Sequence, residues 1–284
     1  MGDSARQLKL GEFPQLLREI SDPPKALYIK GNYPDEKSKF LAVVGSRKYT
    51  PYGKQVTQKL IFGLSGYPIV IVSGLALGID AIAHEAALEA ALTTIAIPGS
   101  GLSESVLYPA THRQLAKRIL KAGGALLSPF EDNFKATPYS FPERNRIMAG
   151  ISHATLVIEA SEKSGTLITS RLATEYNRDV LAVPGPIFSA TSAGPHMLLR
   201  LGATPITKSE DILEALHLKA EEKSVATENL SDIERKIFEM LSSPLSRDEL
   251  IDALEIPVQE IQITLARLEL KGIIKEEMGE IRLA

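Results

Sequence analysis

Short apolar runs alternate with amphipathic stretches from residue 27 to residue 216, and no other feature limits the fold of this 284-residue chain as sharply. The runs lie at 26–30, 40–44, 69–73, 93–97, 125–127, 154–158, 180–183 and 204–206. They are strand-sized and mostly apolar throughout, which is the pattern of strands covered on both faces. Helical stretches lie between most of them, at 53–64, 79–92, 111–122, 142–150 and 167–176. Strand and helix in repeated alternation predict an α/β domain with an extended Rossmann-like, doubly wound, mostly parallel sheet. Such sheets bind ligands at the carboxyl ends of their strands. The strand-to-helix loops are therefore where function is sought.

The rhythm changes after residue 216. The stretch 217–230 is polar and aperiodic, as a linker is. Three short helical stretches follow, at 232–241, 247–254 and 258–271, then a hairpin of 273–277 and 280–283 around Met278-Gly279. Ser246 is placed to cap the second helix and Gly272 to close the third. Three helices and a terminal hairpin predict a small C-terminal winged-helix domain. The expected division is a core of 1–218, a linker of 219–230 and a winged helix of 231–284.

Charge separates the two parts. Residues 1–220 hold 24 Lys+Arg and 20 Asp+Glu, whereas residues 221–284 hold 8 and 15, so a polyanion site is expected in the first part. The expected third helix of the tail carries Gln259, Glu260, Gln262, Arg267, Glu269 and Lys271. That is too little positive charge for a DNA recognition helix. The tail is expected to contact protein, or nothing essential. The absence of cysteine removes disulfides and Cys-ligated metals. The first ten residues are charged and lack an apolar h-region, and no run is long enough to span a bilayer. No membrane association and a cytoplasmic location are expected.

Four loops carry chemistry. Gly45, Ser46 and Arg47 end the second expected strand, where a helix start and a guanidinium fork suit phosphate oxygens. The turn alone would explain the glycine equally well. Gly74 and Gly78 flank Leu75-Ala76-Leu77 after the third strand, a layout resembling a phosphate cradle but lacking the GxGxxG fingerprint of dinucleotide sites. Gly99 and Gly101 follow the fourth. Ser164, Gly165 and Thr166, with Lys163 before them, open a helix after the sixth. Together the glycine loops predict a long groove lined by backbone amides. The segment from Tyr139 to Gly150 adds Phe141, Arg144, Asn145 and Arg146. Aromatic rings beside positive charge stack bases over a neutralised backbone, although a core Phe and two solvated arginines fit this segment as well. Arg144 and Arg146 are two apart, so one can face the groove while the other supports the fold. Asp80 and His84 share a helix face and read as an acid–base pair, as metal ligands, or as a helix-start Asp holding a neighbouring His. No third ligand has a recognisable spacing, which favours the last and predicts no metal.

In sequence order these loops resemble the DprA (Smf) family of DNA-processing proteins. The matching stretches are VGSR at 44–47, SGLALGIDAIAH at 73–84, PGSGLSESVLYP at 98–109, FPERNRIMAGIS at 141–152, EASEKSGTLIT at 159–169 and AVPGP at 182–186. The resemblance implies a homodimer that binds and protects incoming single-stranded DNA and loads RecA recombinase on it in natural transformation. It implies no catalytic activity and no cofactor. The family's basic DNA contact falls on Arg47, its aromatic-basic segment on Phe141, Arg144, Asn145 and Arg146, and its later helix start on Ser164, Gly165 and Thr166. Where members often carry a lysine before the aromatic, this chain has Pro138 and Tyr139, and Lys135 is the nearest candidate. His112 stands where Asn is usual, and Gly194-Pro195-His196 where Gly-Thr-Asn is usual. The N-terminal helical domain of many members is expected to be missing.

Three rivals remain. Nucleoside-monophosphate phosphoribohydrolases of the LOG type use a Gly-Thr loop and a catalytic Glu on the next helix, which Gly165-Thr166 and Glu175 resemble loosely; here Glu162-Lys163-Ser164 replaces the preceding glycines. A dinucleotide-dependent oxidoreductase would need the missing fingerprint. A scaffold acting through its winged helix would leave the glycine loops unused.

Overall fold

The computed structural model describes residues 5–35, 37–219, 230–241, 245–254, 256–270, 273–277 and 279–283. These fall into two units, Met1–Lys219 and Ala220–Ala284. Residues 220–229 of the expected linker, Gly272 and Met278 lie outside the described residues.

Nine strands form the sheet of the first unit: β1 (Arg6–Gln7), β2 (Tyr28–Gly31), β3 (Lys39–Val44), β4 (Ile69–Ser73), β5 (Thr93–Ala96), β6 (Ala125–Ser128), β7 (Ala154–Val157), β8 (Asp179–Ala182) and β9 (Thr204–Pro205). Their order is β1-β2-β6-β5-β4-β3-β7-β8-β9. From β6 to β9 every neighbouring pair is parallel, with Leu41 of β3 opposite Ile71 of β4 and Ala154 of β7. β2 instead pairs antiparallel with β6, and β1 with β2. These two strands give the sheet an antiparallel edge, and β1 is too short to leave a periodic signal in the sequence.

The apolar runs are explained by two cores on opposite faces. Leu41, Val43, Ile69 and Ile71 pack under α2 (Pro51–Phe62), α3 (Ile79–Glu89) and α8 (Ser209–Ala215). The alternate residues Phe40, Val44, Val70 and Val72 face Ile147, Met148 and Ile151 of α5 (Ser140–Ile151), together with Phe13 and Leu17 near the N-terminus. Period-two alternation in strands buried on both sides thus leaves no polar face. The sequence also signals α4 (Arg113–Lys121) and α6 (Thr166–Glu175), but not α1 (Gln15–Arg18), α7 (Ala193–Arg200) or α8. The first turn of α7 holds Gly194 and Pro195, both poor helix-interior residues; Pro195 is tolerated there because its missing N–H has no partner to lose.

Caps fix the helix starts that matter. Thr50 accepts from the Gly53 amide at 3.1 Å ahead of Pro51. The buried Glu159 carboxylate, at the end of β7, accepts from the Thr50 amide at 3.0 Å and from the hydroxyls of Thr50 and Thr191. A carboxylate at this end of α2 complements the helix dipole.

The second unit is a winged helix. α9 (Asp232–Met240), α10 (Arg247–Ala253) and α11 (Val258–Leu270) pack with a small sheet of β10 (Leu245–Ser246), β12 (Glu280–Leu283) and β11 (Ile274–Glu277), in that order. Ile237, Leu250, Ile261, Leu265, Leu268 and Ile281 form its core. Ser246 caps α10, accepting from Glu249 N at 3.2 Å, as the sequence predicts. β10 adds a third strand to the expected hairpin.

Candidate nucleic-acid interface

The strand order fixes where a ligand can enter. From β3 the chain runs outward through β4, β5 and β6, then returns to place β7 on the other side of β3. The carboxyl ends of β3 and β7 therefore bound a topological switch point, the crevice in which open α/β sheets bind ligands. A cleft of about 600 Å³ lies there. Val44 to Lys48 form one wall, the Ser161 to Thr166 turn the opposite one, and α5 supplies Phe141, Arg144, Asn145 and Met148.

Arg47 stands exposed at the mouth. Its guanidinium lies 5.2 Å from the centroid of the Phe141 ring, a cation–π stack of about 0.5–1 kcal/mol at an exposed site. Tyr108 leans on the same ring, at 5.8 Å between centroids and 54° between planes. Gly99 makes the arrangement possible, since a Cβ there would lie 2.5 Å from the Phe141 ring. Across the cleft Thr166 Oγ1 donates to the Gly45 carbonyl at 3.1 Å, and Asn145 Nδ2 to Gly165 O at 3.5 Å. The first bond ties the α6 start to the β3 loop and the second ties it to α5. Gly165 itself is open, with nothing within 4 Å of where a Cβ would sit. The first turn of α6 thus presents its positive dipole end to the cleft.

Behind this surface lies a buried ion pair. Arg144 Nη1 donates to the Ile97 carbonyl at 3.1 Å and lies 3.6 Å from Asp80 Oδ2. The same oxygen accepts from the Gly74 amide at 3.1 Å. Burial pushes the Asp80 carboxyl up from its ordinary value, and the Arg144 charge pulls it back. Gly74 is required for space, because a Cβ there would fall 1.2 Å from Arg144 Nη1. Gly78, at φ +84°, serves the same purpose toward the Ser46 carbonyl.

These contacts correct parts of the sequence reading. Asp80 does not hold His84; it faces Arg144, while His84 Nδ1 bonds Thr94 Oγ1 at 2.7 Å. Burial, with His112 adding like charge, holds the His84 pKa at about 3, so it is a neutral core residue. The glycine loops do gather on one rim, but not as a continuous bed of free amides. Gly74 N is taken by Asp80, and Gly101 N donates to Phe134 O at 2.9 Å. Gly101 packs on the backbone of Glu131 and Asp132 and does not line the cleft. Gly74 and Gly99 instead line a small recess that shares Arg47, Phe141 and Arg144 with the cleft. Arg146 points elsewhere, bonded to Asp22 at 2.7 Å and Glu143 at 3.0 Å. It supports the fold, and Arg144 is the arginine that faces the groove. Lys135 is exposed outside the cleft lining. Lys163 lines a separate concavity of about 930 Å³ beside α6 and α7.

Lys48, Ser161 and Thr191 also line the cleft, beyond the site residues the sequence points to. Lys48 follows Arg47 and was available to the same argument. Ser161 and Thr191 reach the cleft because β7 lies beside β3 and β8 beside β7, which no local pattern reveals. Among the described residues, no group of three or more His, Asp or Glu could hold a metal ion.

The family model for DNA recombination-mediator protein A matches residues 7–217, and that for the DprA winged helix domain matches 221–280. The chain belongs to the DprA (Smf) family. It is 38% identical to Protein Smf of Escherichia coli over 277 residues, covering 94% of this chain and 74% of that protein. It is 40% identical to DNA processing protein DprA of Bacillus subtilis, over 72% of this chain and 68% of that one. The X-ray structure of DprA from Streptococcus pneumoniae superposes with a TM-score of 0.69 at 37% identity, covering 76% and 75% of the two chains. A structure of Helicobacter pylori DNA processing protein A, described for its single-stranded DNA binding mode, gives 0.65 at 32% identity, covering 75% and 95%. Within the DprA fold, the layout of a LOG-type hydrolase is not met. Glu175 ends α6 while Thr166 begins it, about 13 Å apart along the axis, and Glu175 lines the other concavity. In the described residues of this DprA chain, no helix is long and apolar enough to cross a membrane.

Proposed function

We propose that this chain binds single-stranded DNA in the switch-point cleft, protects it, and passes it to a RecA-type recombinase in transformation and recombination, without catalysing a reaction and without a cofactor. One observation carries the reading: an open cleft whose charged lining is Arg47, Lys48 and Arg144 against a single, already paired Asp80, with Arg47 stacked on Phe141. Cations at such a mouth neutralise phosphates, and an aromatic ring beside them offers a base a stacking partner. Ser164, Gly165 and Thr166 would meet a phosphate at the start of α6. Gly45 and Ser46 would let the strand approach the backbone closely. The family's description as a recombination mediator supports the RecA step, and the single-stranded DNA binding mode described for the Helicobacter relative supports the ligand. A cytoplasmic setting follows from that role. The acidic winged helix is read as a protein-contacting element.

The test is binding of labelled oligo(dT) and of a duplex across a salt series. The single strand is expected to bind more tightly, with log affinity falling by about 0.7 per neutralised phosphate per decade of salt. Equal affinity for the duplex, or no salt dependence, would remove the proposal.

A homodimer is part of the same reading. Ile168, Met197 and Leu201 are exposed around the concavity beside α6 and α7, and Leu201 is 76% accessible. An apolar group of this kind, rimmed by Arg171, Glu175 and Arg178, marks an association surface. Two joined clefts would raise avidity without new contacts. Leu201→Arg should convert the dimer to a monomer in light scattering while leaving the unfolding transition in place. An unchanged mass would exclude this surface.

A further inference from the structure

Exposed aromatic side chains are concentrated on one rim. Among the described residues, Tyr49, Tyr52, Phe62, Tyr108, Tyr139 and Phe188 are exposed. All but Phe62 lie in loops, or at a helix start, on the side of the sheet where β3, β5 and β8 end or α5 begins. Tyr108 belongs to the Phe141 stack already described. Phe188 lies at the other end, in the turn after β8, and is 96% exposed beside Ile187 at 79%.

This turn is exposed yet firmly held. Tyr52 Oη donates to the Pro184 carbonyl at 2.6 Å, Ser189 N donates to Pro186 O at 3.0 Å, and His196 Nε2 meets Gly185 O at 3.0 Å. Thr191, which follows it, lines the cleft and bonds Glu159. The turn is therefore continuous with the cleft wall. A fixed, bare phenyl group pays full hydration of its apolar surface and contributes nothing to the core. The basic residues Arg47 and Lys48 lie between it and Phe141 in strand order, on the β3 loop.

We infer that Phe188 is a second base-stacking station, so that an unpaired strand leaves the Arg47–Phe141 cleft over the ends of β7 and β8. The inference rests on the proposed single-strand binding and adds the direction of the path. Four strand spacings separate the β5 loop, where Phe141 sits on Gly99, from the β8 turn, about 19 Å in all. That is a span of a few nucleotides, within the range of single-strand sites. Stacking on aromatic faces tolerates every base, so sequence preference along this path should be low.

The chain has no tryptophan, so Phe188→Trp introduces a lone indole reporter at the tip. The full-length variant is titrated with oligo(dT), with anisotropy of labelled oligo(dT) followed in parallel. Trp emission should fall with the midpoint of the anisotropy rise, as a base stacks on the ring. In addition, Phe188→Ala should weaken binding about fivefold, and Phe188→Tyr should retain it. If anisotropy rises while emission stays level, the strand binds elsewhere: the inference fails and the function stands. If neither signal changes, both fail. Emission that depends on protein concentration without DNA would assign Phe188 to contact between copies and overturn the inference.

Discussion

Arg144→Met should destabilise the first unit by about 3–5 kcal/mol, because it leaves the buried Asp80 carboxylate without its counter-charge. Methionine keeps most of the side-chain volume, so the loss reports charge and hydrogen bonding and not a large cavity. Both partners are at least nine-tenths buried. Gly74 N still donates to Asp80 in the variant, but one amide does not replace a guanidinium. The sign of the pH effect is fixed by the direction of the Asp80 shift. Its carboxyl is already raised by burial and would rise further without Arg144. A carboxyl whose folded pKa lies above its unfolded one favours the folded state at low pH and loses that contribution as pH rises through the folded value. The variant should therefore recover stability on acidification from neutral pH, relative to wild type. Asp80→Asn added to Arg144→Met should recover part of the loss at neutral pH. Thermal unfolding of the three proteins at two pH values decides it. An unfolding midpoint that does not move in Arg144→Met would show that the pair does not hold the cleft floor.

The second large effect is on binding. Arg47→Glu should lower affinity for oligo(dT) about 100-fold at moderate salt, by removing one phosphate contact and placing a repelling charge at the mouth. The salt slope should become shallower by about 0.7 or more. Folding should be nearly untouched, since Arg47 is exposed and its structural contribution is the stack on Phe141. Substitutions at such surface positions stay within about 0.5 kcal/mol, plus the lost cation–π contact. Oligonucleotide anisotropy and thermal unfolding of the same preparation separate the two effects. Wild-type affinity in Arg47→Glu would take Arg47 out of the interface.

Much of this site was legible locally. VGSR at a strand end, an aromatic beside arginines, and a Ser-Gly-Thr helix start each imply anion chemistry by their own spacing. The part played by the glycines is not legible in the same way. Their place after strands implies bare amides for phosphate, whereas Gly74, Gly78 and Gly99 each clear room for a neighbour: Arg144, the Ser46 carbonyl and Phe141. A glycine that admits a ligand and a glycine that admits a side chain look the same in sequence. The difference lies in what tertiary packing brings opposite. The same limit applied to Arg144 and Arg146, which the spacing could separate but not assign.

The alternation of strand and helix, the winged-helix tail and the loops that carry charge are written locally, because each depends on neighbours within a few positions along the chain. Strand order, the antiparallel edge of β1 and β2, the Asp80–Arg144 pair and the arrival of Thr191 in the cleft were decided by the folded molecule. Each joins segments tens of residues apart. Their pairing depends on which faces bury together and which loops share a rim, and no local periodicity records either.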